Sequence, residues 1–204
     1  MLSIQRELEL QTGDLLLFHG SSWLSLFLEY VGQSKYSHVG IILKNPSFIN
    51  ESLEDGLYLW DASYSYTPEV ENHEIRYGVQ IHKLDDILPL YKNHSVYVRK
   101  VSVDRNIDFE KQIKCIHEEV HSKPYDINLI DWIVAKLNIN HPFHYFSWWK
   151  QTHRFWCSSL VAYIYHRLGW ISDVNWSLVA PRDFSSVESS QLQFKVMISD
   201  EEKL

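Results

Sequence analysis

Leu160, Val161, Ile164 and Leu168 fall at helical spacing, and Gly169 follows the last of them. The stripe predicts a core-facing helix. Glycine stands where a helix C-terminus wants a residue that tolerates positive φ. Phe155-Trp156-Cys157-Ser158-Ser159 leads into the stripe, so Cys157 is expected in the first helical turn. Unpaired N–H groups and the positive end of the helix dipole favour an anion there. A thiol so placed, with a histidine nearby, becomes a thiolate nucleophile at neutral pH. A cysteine opening a core helix also suits plain burial as a small hydrophobe. The stretch alone leaves both readings open.

The chain has 204 residues, 45% of them hydrophobic and 22% charged. That is ordinary for a soluble protein and enough for one domain, 1–204, with its own core. A net charge of −7 argues against a nucleic-acid partner held through phosphate contacts. Two cysteines, Cys115 and Cys157, are too few for a disulfide framework and point to an intracellular, cytoplasmic setting. Met1 to Gln11 lacks the apolar core of a signal peptide. Leu15 to Val31 is broken by His19, Gly20, Ser21 and Ser22, so no transmembrane segment is expected.

Strands are predicted at Asp14–Phe18, Tyr36–Leu43, Leu57–Ala62, Gly78–His82 and Ser95–Val101, with a last one at Gln193–Ile198. The strand at Leu57–Ala62 is expected to pair with the one carrying His38. Helices are predicted from Ser22 to Gly32, from Ile107 to His121 and from Asp131 to Leu137, with a short helical turn near Leu84–Leu88. Without repeats or linkers, the pattern reads as an α+β fold, an antiparallel sheet packed against helices.

Three chemistries are available. Nucleophilic acyl transfer needs a thiolate and a base that takes and returns its proton. Cys157 and His38 are those two types. A carboxylate must hold the imidazole by its other nitrogen, and Asp61 lies on the strand next to that of His38, about 4.8 Å away. The second chemistry is His117-Glu118-Glu119-Val120-His121, an H-E-x-x-H pattern. On a helix its histidines would share a face and bind zinc, with Glu118 as general base. The third ligand is missing downstream: the metzincin position holds Ile127, and Pro124 ends the helix. A solvated helix face is the plain alternative. The third chemistry is a zinc cluster from His141, His144, His153 and Cys157, which would use up the cysteine with no second thiolate. The preferred reading assigns no metal and no cofactor.

Gly13-Asp14, Ser37-His38-Val39-Gly40-Ile41-Ile42, Trp60-Asp61-Ala62, Gly78-Val79-Gln80-Ile81, Pro124-Tyr125-Asp126 and Trp156-Cys157-Ser158-Ser159-Leu160-Val161 occur in this order. The ordered set resembles the permuted branch of the NlpC/P60 papain-like superfamily, of the YiiX/YaeF kind, which includes poxvirus members. The resemblance spans about residues 12–183. It implies a circularly permuted papain-like fold, with Cys157 as nucleophile, His38 as base and Asp61 in a place often held by Glu. Tyr125 matches a family tyrosine and is a candidate accessory residue. It also implies hydrolysis or transfer of acyl groups on amides, esters or lipids, and a viral protein inside a host cell would suit the lack of an export signal.

The expected activity is therefore that of a cysteine hydrolase (amidase, peptidase or esterase) or acyltransferase, working through a thioester. Its partner is a small-molecule, peptide or lipid acyl substrate. Six of the eight tryptophans lie between Trp132 and Trp176. Trp148, Trp149 and Trp156 flank the nucleophile and are candidate substrate-binding residues, which leaves room for peripheral membrane contact. The rivals are a zinc metallopeptidase built on His117, Glu118 and His121, and a non-enzymatic binding module on a degenerate papain-like scaffold.

Overall fold

Alternate residues of the first strand enter two different cores. The computed structural model describes residues 9–19, 34–64, 67–91, 95–124, 155–188 and 190–204. In strand β1 (Leu15–His19), Leu15 and Leu17 join a larger apolar cluster, while Leu16 and Phe18 join a smaller one. Successive side chains of a strand point to opposite faces, so β1 runs inside a sheet covered on both sides.

The other strands are β2 (His38–Lys44), β3 (Leu57–Tyr64), β4 (Tyr77–Lys83), β5 (Ser95–Arg99), β6 (Val101–Ser102), β7 (Met197–Ile198) and β8 (Glu202–Lys203). Six of them form one sheet in the order β4-β3-β2-β1-β5-β8. Each of its pairings is antiparallel. β6 and β7 form a separate antiparallel pair.

Two expected strands are corrected. The stretch Ser95–Val101 breaks at Lys100, because the Val101 N–H donates to Asp14 Oδ1 at 2.9 Å and the Lys100 N–H to Ser199 Oγ at 2.9 Å. The stretch Gln193–Ile198 keeps only Met197–Ile198 as strand. Its earlier half bonds elsewhere, through Ser172 N–H to the Gln193 carbonyl and Lys195 N–H to the Trp170 carbonyl. The helices expected at Ser22–Gly32 and Asp131–Leu137 lie outside the described residues.

Helix α1 (Leu84–Ile87) covers the smaller cluster with its two apolar ends. Helix α2 (Ile107–Val120) starts at Asn106, whose side chain accepts from the N–H groups of Asp108 and Phe109, both at 3.0 Å. This satisfies two of the donors that a helix start leaves free. Phe109, Ile113, Ile116 and Val120 then bury one face against the larger cluster.

Helix α3 (Cys157–Arg167) is buried at each position from Cys157 to Tyr165, which fits a helix apolar on most sides. It ends as the stripe predicts. Gly169 has φ of 73°, and the N–H groups of Gly169 and Trp170 bond the carbonyls of His166 and Tyr165. That is a Schellman stop.

The Gly13-Asp14 pair pins these parts together. Buried Asp14 accepts from Gln11 N–H at 2.8 Å, Val101 N–H at 2.9 Å and Arg105 Nη2 at 3.2 Å. The Tyr165 hydroxyl of α3 donates to the Gly13 carbonyl at 2.6 Å. Among the described residues, no helix is long and apolar enough to cross a membrane.

Candidate active site

His38 is the first residue of β2, with 16% of its side chain exposed. The β2–β3 register sets Ile41 opposite Trp60, which brings Asp61 alongside Gly40. A β-carbon on Gly40 would lie 3.2 Å from Asp61 Cβ and 2.6 Å from Leu59 Cδ1. With none there, the carboxylate lies over the Gly40 backbone and reaches His38, two residues along on the same face. His38 Nε2 stands 2.7 Å from Asp61 Oδ2.

Asp61 is itself held. Ser63 Oγ donates to Asp61 Oδ1 at 3.1 Å, and Gln80 Nε2 of β4 donates to Ser63 Oγ at 2.9 Å and to the Ser63 carbonyl at 2.9 Å. Asp61 and Gln80 are both buried. Each donor in this chain meets an acceptor, which buried polar groups require. Sequence reasoning assigned no role to Ser63 or Gln80. The signal available was their two-residue spacing, from Asp61 on β3 and from buried His82 on β4.

Cys157 opens α3 and is buried. It lies close enough to His38 for its charge to act on the imidazole. Because Nε2 faces Asp61, Nδ1 is the ring nitrogen left for the sulfur. Burial alone pushes the His38 pKa down. The Cys157 charge and the hydrogen bond to Asp61 outweigh it and hold the pKa well above its ordinary 6.5. The imidazole therefore favours its charged form beside the sulfur.

The helix start is fixed by its serines. Ser158 Oγ donates to the Val179 carbonyl at 2.6 Å, and Ser159 Oγ accepts from Trp156 N–H at 3.0 Å. Trp156 is half-buried, with its indole Nε1 3.4 Å from the Val179 carbonyl. An aromatic residue that the sequence did not single out also stands here. Tyr91 packs against Phe18 with ring centroids 4.6 Å apart, and Phe18 in turn lies 5.4 Å from the His38 ring. Burial raises the Tyr91 pKa, with His38 opposing and Asp61 and Cys157 adding to the shift. Tyr125, Trp148, Trp149, His141, His144 and His153 lie outside the described residues.

The H-E-x-x-H segment is not the solvated face that the plain alternative expected. His117 is buried at 6% exposure, because it shares the apolar face of α2 and its ring lies 5.8 Å from that of Trp60. Its polar partner comes from upstream: Glu71 Oε2 lies 2.8 Å from His117 Nε2 and 3.2 Å from His121 Nδ1. Glu118 is exposed.

Fold and site thus define an α+β protein whose antiparallel sheet carries a linked Asp–His–Cys set beside the start of a buried helix. No family model matches the chain, and no curated protein sequence does. Among solved structures it is similar to that of metalloprotein yiiX from Escherichia coli O157:H7, with 19% identity and a TM-score of 0.49 over 78% of this chain and 67% of that one.

Proposed function

We propose that the chain is a cysteine hydrolase or acyltransferase of the permuted papain-like kind. The Asp61–His38 hydrogen bond, with Cys157 close enough to act on the same imidazole, carries this reading. His38 takes the thiol proton, and the sulfur attacks the carbonyl carbon of an amide or ester. The carbonyl electron pair moves to oxygen, where the free N–H of Cys157 at the helix start donates to it. The tetrahedral adduct collapses as His38 returns the proton to the leaving nitrogen or oxygen, and a thioester remains on Cys157. Water or another acceptor, deprotonated by His38, attacks the thioester and restores the thiol. Asp61 touches no reacting atom in this scheme. It is a positioning residue that keeps Nδ1 turned to the sulfur and stabilises the imidazolium.

The substrate we infer carries an apolar acyl group. Trp156 adjoins the nucleophile in the chain, and Phe18 and Tyr91 line up beside the base. The reading is tested with a panel of acyl esters of increasing chain length, turned over by the intact chain and by Cys157→Ala. Turnover with a trapped acyl group on Cys157 is the expected result. A Cys157→Ala protein as active as the original, or an intact chain that binds acyl compounds without cleaving them, would overturn it in favour of a binding module.

A further inference from the structure

Outside the cysteine site, the described residues bring one other set of metal-ligating side chains together. We propose that Glu71, His117 and His121 form a binding site for a divalent transition ion of the zinc type, tying the turn between β3 and β4 to the C-terminal end of α2. Their ligand atoms all lie within 4.8 Å of one another. The two histidines are four apart on one helix, so they share a face. Glu71 meets them from a turn that precedes the helix by about forty residues of chain.

The spacing fits a metal. Ligands about 2.0–2.1 Å from a tetrahedral zinc stand about 3.3 Å from one another. Glu71 Oε2 is already 2.8 Å from His117 Nε2 and 3.2 Å from His121 Nδ1. The donor set of two imidazoles and one carboxylate suits zinc and its neighbours rather than calcium or magnesium, which prefer oxygen throughout. Outer partners are present as well. Asn50 Nδ2 stands 3.4 Å from the second carboxylate oxygen of Glu71 and orients it, as metal-binding carboxylates require.

A second observation points the same way. Glu69, two residues earlier, is fully buried, and its Oε1 has no hydrogen-bond partner among the described residues. Two buried carboxylates and a buried histidine at one spot are costly without compensating charge. Arg76 is a nearby cation, held through its terminal nitrogens by Ser122 Oγ and the Val79 carbonyl, and it supplies one positive charge. A divalent ion on Glu71 would add to that charge opposite the two carboxylates. The side chain of His121 is 31% exposed, so the fourth position opens toward water. Because Glu118 is exposed, the arrangement is an anchor for the turn and lacks the inward general base of a zinc peptidase.

The test uses the full chain carrying Cys157→Ala, so that the catalytic thiol cannot take the ion. The protein is stripped with a chelator, reloaded with zinc and dialysed. One retained zinc per chain and a higher melting temperature are expected. Cobalt in place of zinc should give visible d–d bands with no sulfur charge-transfer band. Glu71→Gln, and separately His121→Ala at the more exposed ligand, should weaken binding at least about 100-fold while circular dichroism stays unchanged. Zinc binding that ignores both substitutions, or no binding at micromolar free zinc by the folded chain, would sink the proposal. Neither result depends on whether Cys157 is a nucleophile.

Discussion

His38 Nε2 and Asp61 Oδ2 stand 2.7 Å apart across two strands because the residue between them in space is Gly40. A methyl group there would come within 3.2 Å of Asp61 Cβ. Leu59 Cδ1, at 2.6 Å, ends a flexible side chain and can swing away, but the Asp61 Cβ is held by the strand backbone. Gly40→Ala should therefore cost only about 1–2 kcal/mol of stability, as mild overpacking does. Activity should fall about 100-fold, since an ångström of misplacement at a reacting pair costs that much. Chemical denaturation beside ester turnover checks the split. Activity that survives in the folded variant would mean that Asp61 does not orient the base.

His38→Ala should slow alkylation of Cys157 at neutral pH by at least about tenfold, because the sulfur loses its proton acceptor and cationic partner. Asp61→Asn should slow it less, since the ring stays but can turn or take the wrong tautomer. The His38 pKa is held well above 6.5, so the charged imidazole persists through neutrality. Its contribution to stability is complete below about 6.5 and is lost only as pH rises through the higher folded value. Alkylation rates across neutral pH should thus be flat in the original protein and rise steeply with pH in His38→Ala. Equal profiles in the two proteins would remove His38 from the role of base.

Cys115 and Cys157 invert the usual link between exposure and reactivity. Cys115 is exposed, and its thiol donates to Glu119 Oε1 at 3.7 Å. Cys157 is buried, but its charge acts on a nearby imidazole. A small neutral electrophile should label Cys157 at least about tenfold faster at pH 7. In denaturant the two rates should converge. Peptide mapping by mass spectrometry reads both; faster labelling of Cys115 in the folded chain would count against the nucleophile.

What was legible in the sequence was local. Cys157 lies three residues ahead of a stripe that is followed by glycine, and hydrophobic period alone sets that helix. His38 and Asp61 lie on strands that follow one another in the chain and pair directly, so adjacency in sequence became adjacency in space. Glu71 was not legible, because a partner for helix histidines was sought downstream, whereas the turn between β3 and β4 folds back onto α2. β8 was missed for another reason. Glu202 and Lys203 are both exposed, so no alternation marks them, and the edge of β5 selects them by backbone pairing. Gln80 stood inside a recognisable motif, but its task depends on the side-chain hydrogen bonds that Ser63 makes possible.

The C-terminal end of the chain should make the fold sensitive to acid through Glu201. Its side chain is only 4% exposed. Oε1 accepts from Ser185 Oγ at 2.5 Å and Ser186 N–H at 3.0 Å, and Oε2 pairs with Lys35 Nζ at 3.0 Å and the Tyr36 hydroxyl. Burial pushes its pKa up, but these hydrogen bonds win and lower it to about 2 from the ordinary 4.5. A carboxylate depressed in the fold stabilises it fully above its unfolded pKa and loses that contribution as pH falls through the folded one. The window here runs from about pH 4.5 down to about 2, and the contribution is on the order of 3 kcal/mol. Lys35 and Tyr36 lead directly into the strand of His38, so the same contacts brace the base. Glu201→Gln keeps the shape and loses the charge. At neutral pH it should be less stable than the original protein, and the gap should close as the pH falls through that window. Urea denaturation of both proteins at stepped pH measures the gap. A gap that stays constant down to about pH 2 would show that packing, and not the carboxylate charge, holds the C-terminus in place.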